Sequence, residues 1–184
     1  MVRQDLTRTM QTLTALAEFE RALAAMYQAC GEQWPRDRQL FADLERAELD
    51  HADCVGRIER LLMDHPERFV PNRPLTPEAA RCQVDYVVAR TVEFRSGDVA
   101  LRTALLAMRE IERSILESRF YEVVTTDDPE YRELIHRLRV ETRYHVESIE
   151  GRLRVDGGGS NGASSGASGG RATQEATDVA AGTA

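Results

Sequence analysis

The sequence predicts an all-α protein built from two helical hairpins. Three observations carry this reading. Apolar residues recur at steps of three and four through four long segments. Proline and glycine separate those segments across residues 1–155. No segment shows the sustained two-residue alternation and β-branched enrichment of a strand, so no strands are expected.

The first helix is expected from about Asp5 to Cys30, where "GEQWPRD" stops it. The second runs from about Arg36 to Met63 and ends at "DHPERFVPNRP". A shorter helix follows in "LTPEAARCQVDYVVARTVEF", with Thr76 placed as N-cap and Pro77 at the first helical position. "RSGD" breaks it. A third long helix is expected from about Asp98 to Val124, and "TTDDPE" opens a fourth that reaches about Arg154. From Asp156 the composition turns to Gly, Ser, Ala and Thr, which cannot repay ordering entropy. Residues 1–155 are therefore read as one helical domain and 156–184 as a disordered tail.

The chain has 184 residues, enough for one domain with a sizeable core. Its net charge of −7 argues against nucleic acid as a partner, because phosphate binding needs a basic surface. All 24 basic residues are arginine, which excludes a Schiff-base lysine and a P-loop lysine. The N-terminus lacks the apolar run of a signal peptide, and no apolar stretch is long enough to predict a membrane span. Cys30, Cys54 and Cys82 are an odd set without a CxxC pair. That pattern fits a reducing cytoplasm and offers neither a disulfide framework nor a zinc or rubredoxin-type site.

The apolar stripes are more informative where they are interrupted. The first helix reads Leu13, Leu16, Ala17, Glu20, Leu23, Ala24, Tyr27. The second reads Leu40, Leu44, Ala47, Glu48, His51, Val55, Ile58, Leu62. The third reads Leu101, Leu105, Met108, Ile111, Glu112, Ile115, and the fourth Tyr131, Leu134, Ile135, Leu138, Glu141, His145, Ile149, Leu153. A buried, unpaired carboxylate costs several kcal/mol, so four interruptions need a shared cause. Depth agrees as well. In a hairpin, residues at equal height lie equally far from the turn; the midpoint of Glu20 and Glu48 is Trp34, and that of Glu112 and Glu141 falls between Thr126 and Asp127. Both midpoints lie inside the expected turns. Level carboxylates and imidazoles in this number describe a dimetal site, which takes one Glu from each of two helices and a Glu-x-x-His pair from each of the other two. Hard oxygen ligands with one imidazole per metal suit iron or manganese.

Over roughly residues 10–153 the sequence resembles the rubrerythrin-like branch of the ferritin-like superfamily. "EFERALAAMY" supplies a ligand Glu20 with Tyr27 seven residues on, "ELDH" supplies Glu48 and His51, and "REIERSILE" supplies Glu112. The resemblance implies a ferritin-like four-helix bundle whose long crossover contains the short helix. It further implies two irons per chain, with manganese possible, bound by Glu20, Glu48, His51, Glu112, Glu141 and His145. The implied chemistry is that of a non-haem diiron peroxidase or ferroxidase acting on hydrogen peroxide or dioxygen. The chain would be a homodimer, and electrons would come from a separate donor protein because no rubredoxin module is present.

The fourth helix departs from the pattern. "RVETRYHVE" puts Thr142, not Glu, three residues before His145, and Glu141 stands four before it. A four-residue step keeps Glu141 on the same face but rotates it by about 100°. This leaves a two-metal, a one-metal and a degenerate site open, with Glu117 as a substitute ligand. Tyr27 is read either as a redox or hydrogen-bonding partner of the metals or as an edge tyrosine. Tyr144 is expected to pack, "SRFYEVV" to be core or a dimer face, and Cys54 to be core filler; His65 and His136 lie off the stripes. The opposing reading is a metal-free helical bundle that serves as a dimerising or adaptor module through its flexible tail. In that reading each Glu simply pairs with an arginine.

Overall fold

The computed structural model describes residues 3–72 and 75–158 of the chain. Helix α1 (Arg3–Gln33) and helix α2 (Arg38–Asp64) form the first hairpin. Trp34 leaves helical geometry at φ −121° and ψ 78°, and Pro35 starts a single 3-10 turn that ends at Asp37. Proline fits there because a first-turn residue needs no N–H partner. The Trp34 ring fills the joint, 6.2 Å from Phe41 and 6.4 Å from Phe94 between centroids. Helix α2 buries Phe41, Leu44, Val55, Ile58 and Leu62 along one side, with Glu48 and His51 in the same row.

The crossover differs from expectation in two respects. Its helix, α3 (Pro77–Arg95), is 19 residues long and outruns α4 (Leu101–Glu117), which has 17. Thr76 caps it as expected, its hydroxyl accepting from the Ala79 N–H at 3.2 Å. Ala80, Val87, Thr91 and Phe94 are buried, and α3 lies along α1. Gly97, at φ +82°, then turns the chain towards α4, a conformation that suits glycine. Contrary to the expectation of no strands, Val70–Pro71 (β1) pairs antiparallel with Val124–Thr125 (β2). Two residues are too few to display a period, and the partners lie far apart in sequence.

Helix α4 also stops short of the expected Val124, at Glu117. Arg119 takes φ +52°, and the Phe120 N–H reaches back to the Ile115 carbonyl at 3.3 Å. This is the six-to-one closure of a Schellman cap, made without glycine and therefore missed by a search for glycine. Phe120 is also held against Phe19 of α1, at 4.9 Å between centroids. Helix α5 (Pro129–Gly158) begins where Asp128 accepts from the Tyr131 N–H at 3.0 Å, with Pro129 at the first position. It continues past the expected end at Arg154, and residues 159–184 of the expected tail lie outside the described residues. Among the described residues no helix is long and apolar enough to cross a membrane.

Candidate metal centre

Four helices send ionisable side chains to one buried cluster. Glu20 comes from α1, Glu48 and His51 from α2, Glu112 from α4 and His145 from α5, and none is more than 2% exposed. Each sits on its helix's apolar stripe, so folding that buries the leucines buries these groups with them. Glu48 lies between the two imidazoles. Its Oε2 is 2.9 Å from His51 Nδ1, and its Oε1 is 2.9 Å from His145 Nδ1. Glu20 Oε2 stands 3.9 Å from His51 Nδ1, and Glu112 Oε1 stands 3.5 Å from His145 Nδ1. The two rings stack at 5.2 Å with 26° between their planes.

Two tyrosines close the cluster from outside. The Tyr27 hydroxyl donates to Glu112 Oε1 at 2.5 Å, and the Tyr121 hydroxyl donates to Glu20 Oε1 at 2.8 Å. Tyr27 is fully buried, which removes the edge-tyrosine reading. Tyr121 was not expected at the site. Its segment is delivered by the Arg119 turn, and the only sequence signal was an aromatic next to Phe120 in "SRFYEVV".

Glu141 does not join the inner group. Its Oε2 lies 3.0 Å from His51 Nε2, on the far side of that ring from Glu48, and its Oε1 accepts from Arg137 at 2.9 Å. Thr142, buried at 1%, turns its hydroxyl back to the Leu138 carbonyl at 2.8 Å. Glu117 is exposed and far from a ligand role. Tyr144, expected to pack, is 67% exposed, whereas Cys54 is buried as expected.

The electrostatics show what the cluster lacks. Burial pushes Glu20 well above the usual carboxylate range, and the Glu48 charge adds to the shift. Burial, then the Glu112 charge, pushes Glu48 up to about 7. Burial opposes the charge on His145, but Glu112 and Glu48 outweigh it and hold the imidazole up at about 10. Burial also works against the Glu112 anion, yet His145 prevails and keeps that carboxyl below its ordinary value. His51 moves the other way, lowered by burial despite the carboxylates around it. Tyr27 and Tyr121 are raised well above 10 by burial and then by the adjoining carboxylates, so both remain donors. Metal-free, the site thus holds the Glu112–His145 ion pair beside a Glu48 raised to about 7, while burial favours the proton on Glu20 and disfavours the charge on His51.

Four buried atoms at the centre make no hydrogen bond: Glu20 Oε2, Glu48 Oε1, Glu112 Oε2 and His145 Nδ1. The 2.9 Å approach of His145 to Glu48 is close enough but is off the hydrogen-bonding direction. Orphaned buried polar atoms are rare because each forfeits its hydration. Two of them belong to Glu48 and His145, which with His51 bring ligand atoms within 4.8 Å of one another, close enough to hold a metal ion. Fold and site define an all-α protein with a buried Glu48, His51 and His145 group able to hold a metal ion. No protein-family model, curated protein or solved structure matches the chain.

Proposed function

We propose that the chain is a ferritin-like four-helix bundle of the rubrerythrin-like kind. It binds iron among α1, α2, α4 and α5 and acts in the cytoplasm as a non-haem diiron oxidoreductase on hydrogen peroxide or dioxygen, or oxidises ferrous iron. The observation that supports it most is the set of four orphaned atoms on three carboxylates and an imidazole. Glu48, facing both histidines, would be the shared carboxylate, Glu20 and Glu112 would add one carboxylate each, and His51 and His145 would supply one imidazole each. Oxygen and imidazole donors favour iron or manganese over softer-liganded metals.

When bound, iron supplies the electrons and the Lewis acidity for peroxide or dioxygen reduction. The chain's own part is preorganisation. Tyr27 and Tyr121 hold one oxygen each of Glu112 and Glu20, so that the other oxygen of each stays turned inward. The apolar walls of Leu16, Leu23, Leu105 and Met108 exclude water from the reacting centre. A cleft of about 250 Å³ between α1 and α2 has Tyr27 in its lining and offers a small oxidant an approach. Electrons come from a separate donor protein, and the chain works as a homodimer.

Thr142 favours a second reading, because its backward hydrogen bond leaves α5 without a bridging carboxylate beside His145. In that reading the cluster is a buried polar layer and the chain is a metal-free dimerising or adaptor module. Anaerobic titration of the metal-free protein with ferrous iron, followed by a pulse of peroxide, separates the two. Two irons per chain and fast growth of near-ultraviolet ferric absorbance support the diiron enzyme. One iron without fast oxidation indicates a single-metal site, and no binding removes the metal reading.

A further inference from the structure

Glu141 occupies a place that neither a metal ligand nor a surface carboxylate needs. Helix α5 turns about 100° per residue, so position 141 stands at the seam with α2 while Thr142 points inward. The Glu141 side chain is 35% exposed, yet it touches His51, whose side chain is fully buried. Its two oxygens have divided duties. Oε1 accepts from Arg137 Nε at 2.9 Å, and Arg137 Nη2 lies 3.7 Å from Asp50 on α2, which ties the seam together. Oε2 faces His51 Nε2 at 3.0 Å. On the opposite edge of the ring, His51 Nδ1 faces Glu48 Oε2 at 2.9 Å and Glu20 Oε2 at 3.9 Å.

We propose that Glu141 is a positioning residue for His51 and not itself a metal ligand. By accepting the Nε2–H it fixes the tautomer and ring plane that aim the Nδ1 lone pair at Glu48 and Glu20. This rests on the metal-binding reading above. A neutral imidazole carries one N–H, and both ring nitrogens here face carboxyl oxygens. Paired with Arg137, the Glu141 carboxylate offers only acceptor oxygens, so the proton belongs on Nε2. That leaves Nδ1 as the donor atom, on the side where the orphaned carboxylate oxygens gather. Outer partners of this kind set the orientation and basicity of a ligand imidazole.

The test compares Glu141→Gln, Glu141→Ala and Glu48→Gln with the unaltered chain. The readouts are the anaerobic ferrous iron Kd and the ring ¹⁵N–¹H correlation of His51 in the metal-free protein. An amide oxygen still accepts the Nε2–H, so Glu141→Gln should stay within about threefold of the parent Kd. Glu141→Ala should weaken iron binding by roughly 10–100-fold, the usual loss when such a partner is removed. Iron stoichiometry should be the same in the parent and both Glu141 variants. His51 should show the Nε2–H tautomer in the parent and in Glu141→Gln, and lose it in Glu141→Ala. The proposal is overturned if Glu141→Gln binds as poorly as Glu141→Ala, or loses an iron, since either outcome makes Glu141 a ligand. It is overturned equally if the metal-free parent shows the Nδ1–H tautomer. If the parent binds no iron, or Glu48→Gln binds as well as the parent, the metal reading fails instead, and the His51 tautomer still decides the role of Glu141.

Discussion

At the scale of single residues, the cluster is held in a strained balance of charge that pH should reveal. Glu48 sits above its ordinary 4.5, at about 7, and a carboxyl raised on folding stabilises the fold most while both states are protonated. That contribution is lost as pH rises from about 4.5 through about 7. His145, raised to about 10, acts in the same direction, since its ion pair weakens as pH rises towards that value. His51, lowered on folding, works the other way below its ordinary 6.5, so the metal-free protein should lose stability between about pH 6.5 and pH 8 in urea titrations, and rising stability there would contradict the assignment. A divalent metal competes with the same protons and should reverse the trend, adding about 2.7 kcal/mol at a hundred times its Kd. The tyrosines offer a second check. Tyr27→Phe or Tyr121→Phe strips a donor from a buried carboxylate oxygen, and each should cost about 1–3 kcal/mol of metal-free stability. A loss below about 0.5 kcal/mol would show that the carboxylates do not depend on those hydroxyls.

At the scale of elements, the turns decide which side chains reach the site. Arg119 at φ +52° lets α4 stop at Glu117 and brings Tyr121 back to Glu20. A side chain in the left-handed region costs about 1–2 kcal/mol, partly offset by the entropy glycine adds to the unfolded chain. Arg119→Gly should thus stabilise by up to about 1 kcal/mol in thermal unfolding while leaving the site intact. A clear loss would mean that the Arg119 side chain, and not the backbone, secures the turn. Asp128 has two tasks, capping α5 and pairing with Arg68 at 2.9 Å, on a side chain that is 5% exposed. Asp128→Ala should cost about 2 kcal/mol, the upper end for a cap, because the buried pairing is lost with it. The cap at Thr76 was legible in the sequence because Thr-Pro is a local signal. The end of α4 was not, because the cap closes on an arginine in the left-handed region, where glycine is the usual signal, and Phe120 then packs on Phe19, a partner about a hundred residues away.

At the scale of the whole molecule, the site is one buried layer assembled from four helices. Thr142→Glu tests how near it is to a full two-metal arrangement. The variant places a carboxylate three residues before His145, at a position now 1% exposed. It should raise iron affinity or stoichiometry while lowering metal-free stability, because an added buried carboxyl has no partner until a cation arrives. Stability without metal and affinity with it would then move in opposite directions; no change in iron binding would show that α5 is too far turned for a second bridge. The sequence by itself determined the helices, the hairpin turns and five inward groups, Glu20, Glu48, His51, Glu112 and His145. Each of these follows from local periodicity and from turn residues that act over a few positions. Only the tertiary structure decided that Tyr121 reaches Glu20, that β1 meets β2, that α3 lies along α1, and that Glu141 serves His51 from the seam. Those are contacts between distant segments. They are fixed by how helices rotate and pack against one another, which a one-dimensional period does not contain.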